Sequence, residues 1–166
     1  MHFDLKPISA ESIPEALAKV ERYRLLDEPS LAESICLDIL TVAPDHQQAL
    51  ISLLLARTEQ FGLEATAESA HEVLSRIRGE YERAYYGGII WERLAHCQFR
   101  EGRTGGEAAA YHSFRKAMAL YERAETVRPP GNDDAILRWN TCARILMRHP
   151  QIHPLPDYES EPIMSE

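Results

Sequence analysis

Apolar residues return at three- and four-residue intervals along most of the chain, and the rhythm breaks at prolines, glycines and clustered polar residues. Ile13, Leu17, Val20 and Leu25 mark a first helix over 13–26, with Ser12 placed to cap it and Pro14 in the first turn, where a missing N–H costs nothing. Asp27-Glu28-Pro29-Ser30 ends that pattern, and Leu31, Ile35, Ile39 and Leu40 carry a second helix over 31–42, before Pro44. The same alternation predicts helices over 47–60, 65–78, 85–100, 107–127 and 135–148. Phe61-Gly62, the segment 101–106 and Pro129-Pro130-Gly131 separate them, and Asn132-Asp133-Asp134 supplies a cap and first-turn acids for the last. No segment alternates apolar and polar residues as a half-buried strand does. The predicted class is all-α, with a segment 1–12, a helical domain 13–149 and a tail 150–166. Prolines at 150, 154, 156 and 162 among acids predict a tail that stays disordered.

Composition narrows what such a domain does. The 166 residues are 45% hydrophobic and 27% charged, within the soluble globular range. The chain opens without a basic head and apolar stretch, so no secretory leader is expected and a cytoplasmic location is. A net charge of −8 argues against nucleic acid and anionic membranes as partners. Cys36, Cys97 and Cys142 are odd in number, far apart and set in apolar helical patterns, which predicts buried thiols rather than disulfides.

Helix pairs recurring about every 34 residues are the signature of a repeat array. Residues 13–46 resemble one tetratricopeptide repeat, with Tyr23 as the aromatic of the first helix, Ala32 as the small contact residue of the second and Pro44 as the closing proline. Cys36 and Ile39 depart from the family's preferences. A second unit starts near Gln47 with Leu50, Leu53 and Leu54 on its packing face and departs at Arg57. Trp91-x-x-Leu94-Ala95 followed by Ala110-x-x-x-Phe114-x-x-Ala117 is the best match, with a longer loop and a longer second helix than the family uses. Trp139-x-x-Cys142-Ala143 repeats the first-helix signature once more. The resemblance implies a right-handed α-solenoid of about three and a half units, whose first helices line a concave groove.

On that register the groove positions are Pro14, Leu17, Ala18, Glu21, Arg24 and Leu25 in the first unit, and Gln48, Ile51, Ser52, Leu55, Thr58 and Glu59 in the second. The third unit places Ile89, Glu92, Arg93, His96, Phe99 and Arg100 there, and the last helix Leu137, Asn140, Thr141, Arg144, Met147 and Arg148. Arg93, His96 and Arg100 share one helix face, as do Asn140, Arg144 and Arg148. The guanidinium fork binds carboxylate through two parallel hydrogen bonds, so these trios, with Phe99, Leu137 and Met147 as apolar anchors, predict a groove for a protein segment or acidic peptide. The alternative is a solvated cationic face. The Lys and Asn clamp with which the family's chaperone-binding members hold a terminal carboxylate is missing. Its places hold Leu17/Glu21, Ile51/Leu55, Glu92/His96 and Asn140/Arg144.

No enzyme chemistry is expected and no cofactor. His149 and His153 straddle Pro150 and make no helical metal pair, His96 and Cys97 are neighbours that point apart, and no Gly-rich phosphate loop is present. The predicted role is an adaptor. Two further occupants of the arginine face are the chain's own tail, with four acids (Asp157, Glu159, Glu161, Glu166) and no Lys or Arg, or another copy of the protein. A self-assembling structural subunit is the alternative function, through an outer apolar face of the last helix (Ile136, Ile145, Leu146).

Overall fold

A computed structural model describes residues 1–155. A 3-10 turn, Ala10–Ser12, leads into α1 (Ile13–Leu25), α2 (Pro29–Val42), α3 (Gln47–Glu59), α4 (Ala67–Leu74), α5 (Glu80–Glu101), α6 (Gly106–Thr126) and α7 (Asp134–Arg148). The fold is all-α, and no described residue belongs to a strand. Each helix packs against the next in the chain, and α3 also touches both α1 and α5. The predicted disorder from 156 onward, with Asp157, Glu159, Glu161 and Glu166, lies outside the described residues. No helix among those described is long and apolar enough to cross a membrane.

Two apolar clusters form the core. Val20, Ala32, Cys36, Ile39, Leu50 and Leu54 close the first, among α1 to α4, and Ala95, Phe114, Ala117, Tyr121 and Cys142 close the second, among α5 to α7. Leu55 and Tyr86 pack against both and join them. Small residues (Ala32, Ala95, Ala117) sit where backbones approach and large ones fill the intervening space, the pattern of close-packed interiors.

Two helices differ from the expected boundaries. α4 stops at Leu74, short of the predicted 78, because the following residues bond to the α2–α3 turn instead. The Arg76 guanidinium donates to the Pro44 carbonyl at 2.6 Å, and the Arg78 amide donates to the Gln47 side chain at 2.7 Å. α5 begins five residues before the expected 85, after Gly79 at φ +88°, and runs straight through Gly87-Gly88. Those glycines are not breakers. A Cβ on Gly88 would sit 2.7 Å from Cδ1 of Tyr121, and one on Gly106 would sit 2.9 Å from the Gln98 carbonyl oxygen. They let α5 and α6 approach closely and form the most extensive helix–helix contact of the molecule.

Above Gly88 the Tyr121 ring is fully enclosed, and its hydroxyl donates to Glu92 at 2.5 Å. The other Glu92 oxygen accepts from Arg138 of α7 at 3.0 Å. Burial weighs against the Arg138 charge, but Glu92 and Tyr121 outweigh it and hold the guanidinium protonated. Burial and the same carboxylate push the Tyr121 phenol up, so it remains a donor. α7 therefore docks on α5 through a charge held at 3% exposure, and the pair survives because both carboxylate oxygens are bonded.

At the C-terminal end the chain stays packed beyond 149, where the tail was expected to leave. His149 lies against the Phe99 ring at 5.3 Å, and Ile152 is buried in the second cluster. α7 turns Ala135 and Cys142 inward. At 100° per residue that also brings Ile145 and Leu146 toward the core, where both are half-buried. The expected outer apolar face is thus corrected at Ile145 and Leu146, whereas Ile136 is half-buried and joins neither cluster. The exposed apolar side chains are Leu137 at 62% and Met147 at 73%.

Replacing Gly88 with Ala should destabilise the protein by about 2 kcal/mol despite alanine's better helix propensity, because Tyr121 has nowhere to move. Thermal unfolding by circular dichroism should show a fall of roughly 4–8 °C. Arg138→Met, which leaves a buried carboxylate without its cation, should cost about 3 kcal/mol, and the double variant Glu92→Gln/Arg138→Met less than that. Equal losses in the single and double variants would show that the pair is not coupled.

Candidate functional site

The C-terminal ends of α1 and α3 and the C-terminal half of α5 enclose an open recess of about 330 Å3, lined by Asp27, Thr58, Glu59, Arg93, His96 and Arg100. A second recess of about 490 Å3 continues from it past Asp27, Glu59 and Arg100 to Phe61, Gly62, Leu63, Cys97 and Glu101. Arg93, His96 and Arg100 reach it together because they are spaced three and four residues apart on one helix. Thr58 and Glu59 arrive from the last turn of α3. The turn after α1 brings Asp27, held at φ +60°, a conformation that few residues other than glycine, Asn and Asp adopt readily.

The electrostatics of the recess depend on which charges are already paired. Glu59 accepts from Arg24 Nη2 at 2.6 Å and from Nε at 3.2 Å, a two-pronged bond that uses both carboxylate oxygens. Neither Arg93 nor Arg100 makes an ion pair among the described residues. The Arg93 Nε is enclosed and has no hydrogen-bond acceptor. Such a donor is an energetic debt of about 1–3 kcal/mol, and turning this guanidinium toward a ligand breaks no protein hydrogen bond at Nε. Thr58 donates to the Leu55 carbonyl, so its hydroxyl proton is committed to α3.

Burial pushes His96 below its ordinary value; Glu92 pulls it back up, and Arg93, Arg100 and Arg138 push it down again. Its ring packs edge-on against Phe114 at 5.2 Å. Cys97 donates weakly to Glu101 at 3.4 Å, and burial, with that carboxylate, raises its thiol pKa. A Cβ on Gly62, itself at φ +85°, would fall 2.9 Å from the Cys97 sulfur, so only glycine leaves this floor intact. At the edge of the second recess stands Leu63, at 86% exposure.

The structure gathers one predicted trio and not the other. Arg93, His96 and Arg100 share the recess, and Thr58 and Glu59 come from groove positions of the second unit. Phe99 turns toward His149 instead. Asn140, Arg144 and Met147 lie on the side of α7 opposite Ala135 and Cys142, and with Arg148 they line neither recess. Glu92 and Ile89, expected on the groove surface, are buried. What the sequence reading missed is the role of Arg24 in neutralising Glu59 from 35 residues away, for which no local pattern exists. Among the described residues no group of three or more His, Cys, Asp and Glu side chains is arranged to hold a metal.

Comparison with known proteins adds no relative: no family model, no curated protein and no solved structure matches the chain.

The thiols bordering and underlying the site should be inert. Burial pushes Cys36 and Cys142 up to about 12, and Cys97 is raised as well. At pH 8 all three are protonated, and thiolate is the reactive form. A chromogenic disulfide reagent should find no fast-reacting thiol in the native protein and three on denaturation. A rapid native phase would contradict the enclosed placement of Cys97.

Proposed function

We propose that the chain is a cytoplasmic tetratricopeptide-like adaptor, without catalytic activity or cofactor, whose recess at the ends of α1, α3 and α5 binds a protein segment that combines carboxylates with aliphatic side chains. The observation that carries this reading is the pair of unpaired cations, Arg93 and Arg100, in a recess where Arg24 already occupies the adjacent Glu59. A ligand carboxylate gains two guanidinium forks without first breaking an ion pair. Such charge-assisted bonds contribute more than neutral ones where solvent is partly excluded. Leu63 at the edge of the adjoining recess adds apolar contact, so the ligand is an acidic segment with Leu, Ile or Met close by.

The repeat reading gains support from the lining itself. Every recess residue except Asp27 holds a position that the tetratricopeptide register assigns to the groove, and those positions come from the second and third units, with Arg24 of the first bonded beneath. Helices that pack on their chain neighbours, with α3 touching both α1 and α5, agree with it.

A fluorescein-labelled peptide of the sequence of residues 156–166, which combines four acids with Ile163 and Met164, is a suitable probe. Fluorescence anisotropy should show saturable binding, and Arg93→Ala or Arg100→Ala should weaken it about 10- to 100-fold. Arg24→Ala should weaken it too, although Arg24 need not touch the peptide, because freed Glu59 would compete for Arg93. The chain lacking residues 156–166 should bind the probe at least as tightly as the full chain. An anion beside His96 raises its pKa, so binding takes up protons. Affinity should therefore rise as pH falls through the ordinary histidine value of about 6.5 toward the lowered value of the free protein, and this dependence should vanish in His96→Gln. Competition by free succinate as strong as by the peptide would make the ligand a small anion. Binding insensitive to both arginine substitutions would refute the site.

A further inference from the structure

The two ends of the helix row carry complementary surfaces that the recess does not use. At one end, α7 exposes Leu137, Arg144, Met147 and Arg148. Among the described residues neither arginine is ion-paired. Beyond its first turn α7 contains no acid. Its inward side is committed to the second cluster and to Glu92, so this outward face is a cationic stripe with two large apolar side chains, and no described residue covers it.

At the other end, α1 and α2 enclose a recess of about 220 Å3, lined by Ile8, Ala16 and Ile35 with Ser12, Glu15, Lys19 and Asp38 around them. Lys19 is tied to Glu15 at 3.1 Å, and Asp38 is in no ion pair among the described residues. Leu31 stands 47% exposed one turn before Ile35, on the same side of α2. α1 and α2 pack on each other and on α3, whereas α7 packs on α6, so these faces belong to opposite ends of the order of contact. One face is apolar with a net negative rim, the other apolar and positive.

We infer that the partner of the α7 face is the α1–α2 face of a second copy, with Met147 or Leu137 seated over Ile8, Ala16 and Ile35 and with Arg144 and Arg148 opposite Asp38 and Glu15. Each end would supply what the other lacks. The faces differ, so the association is heterologous, head to tail, and leaves one free end of each kind at every stage. It is independent of the recess reading, because no residue of either face lines the recess between α1, α3 and α5.

Analytical ultracentrifugation of the full chain should show a mean mass that rises with protein concentration and falls with salt, since paired charges across an exposed interface are screened. Arg144→Glu/Met147→Asp closes one end and Asp38→Arg the other. These side chains stand outside the core clusters, and circular dichroism of each variant should match the parent. Each variant alone should associate at least tenfold more weakly than the parent. An equimolar mixture should recover association between the two variants, because each contributes its intact end. Three results would overturn the proposal: a monomer at every concentration, association unaffected by either variant, or Asp38→Arg that still dimerises alone while Arg144→Glu/Met147→Asp does not. The last would mean that α7 pairs with α7.

Discussion

The seating of Tyr121 on Gly88 is the constraint on which most of this molecule depends. It sets the distance between the two longest helices, and it places a phenol beside a carboxylate that would otherwise be stranded in the core. Arg138 then reaches Glu92 from α7, so one glycine decides both how closely α6 approaches and where the last helix attaches. A side chain of any size at position 88 would separate α5 from α6 and loosen three elements together. Interiors packed at crystal-like density do not absorb such a change locally.

The rigid frame explains how a small recess can have a definite charge. Arg93, His96 and Arg100 stand on the same helix as Glu92, so the network that fixes α5 also fixes the direction in which they point. Arg24 acts from α1, through Glu59. By occupying Glu59 it prevents the local cancellation that a strongly acidic chain would otherwise impose on two arginines. A net charge of −8 is compatible with an anion site because charge is arranged in pairs, and what a ligand meets is the remainder.

Much of the fold was legible in the spacing of apolar residues. Seven α-helices were expected and seven formed among the described residues, because three- and four-residue intervals leave little choice of local structure. The departures have physical causes. α5 starts earlier than the expected 85, and its Gly88 serves a contact with a residue 33 positions further on, while α4 ends early because Arg76 and Arg78 find acceptors in a distant turn. Of the site, the arginine face of α5 was legible, since one helix face needs only one stretch of sequence. The supposed continuity with Arg144 and Arg148 was not, because the turn of α7 about its own axis is set by Ala135, Cys142 and Arg138, and a register alone does not carry that information.

Asp27 has a consequence for how firmly anything can be held. A left-handed backbone at that turn would suit glycine better by about 1 kcal/mol, and glycine would also remove the acid of the recess that makes no ion pair among the described residues. Fold and affinity would both gain from the change, so the aspartate works against retention. A carboxylate facing two guanidinium groups raises the rate of release and penalises doubly charged groups more than singly charged ones. Under the proposed reading, the recess is suited to brief, exchangeable contacts with carboxylates rather than to permanent capture of phosphates.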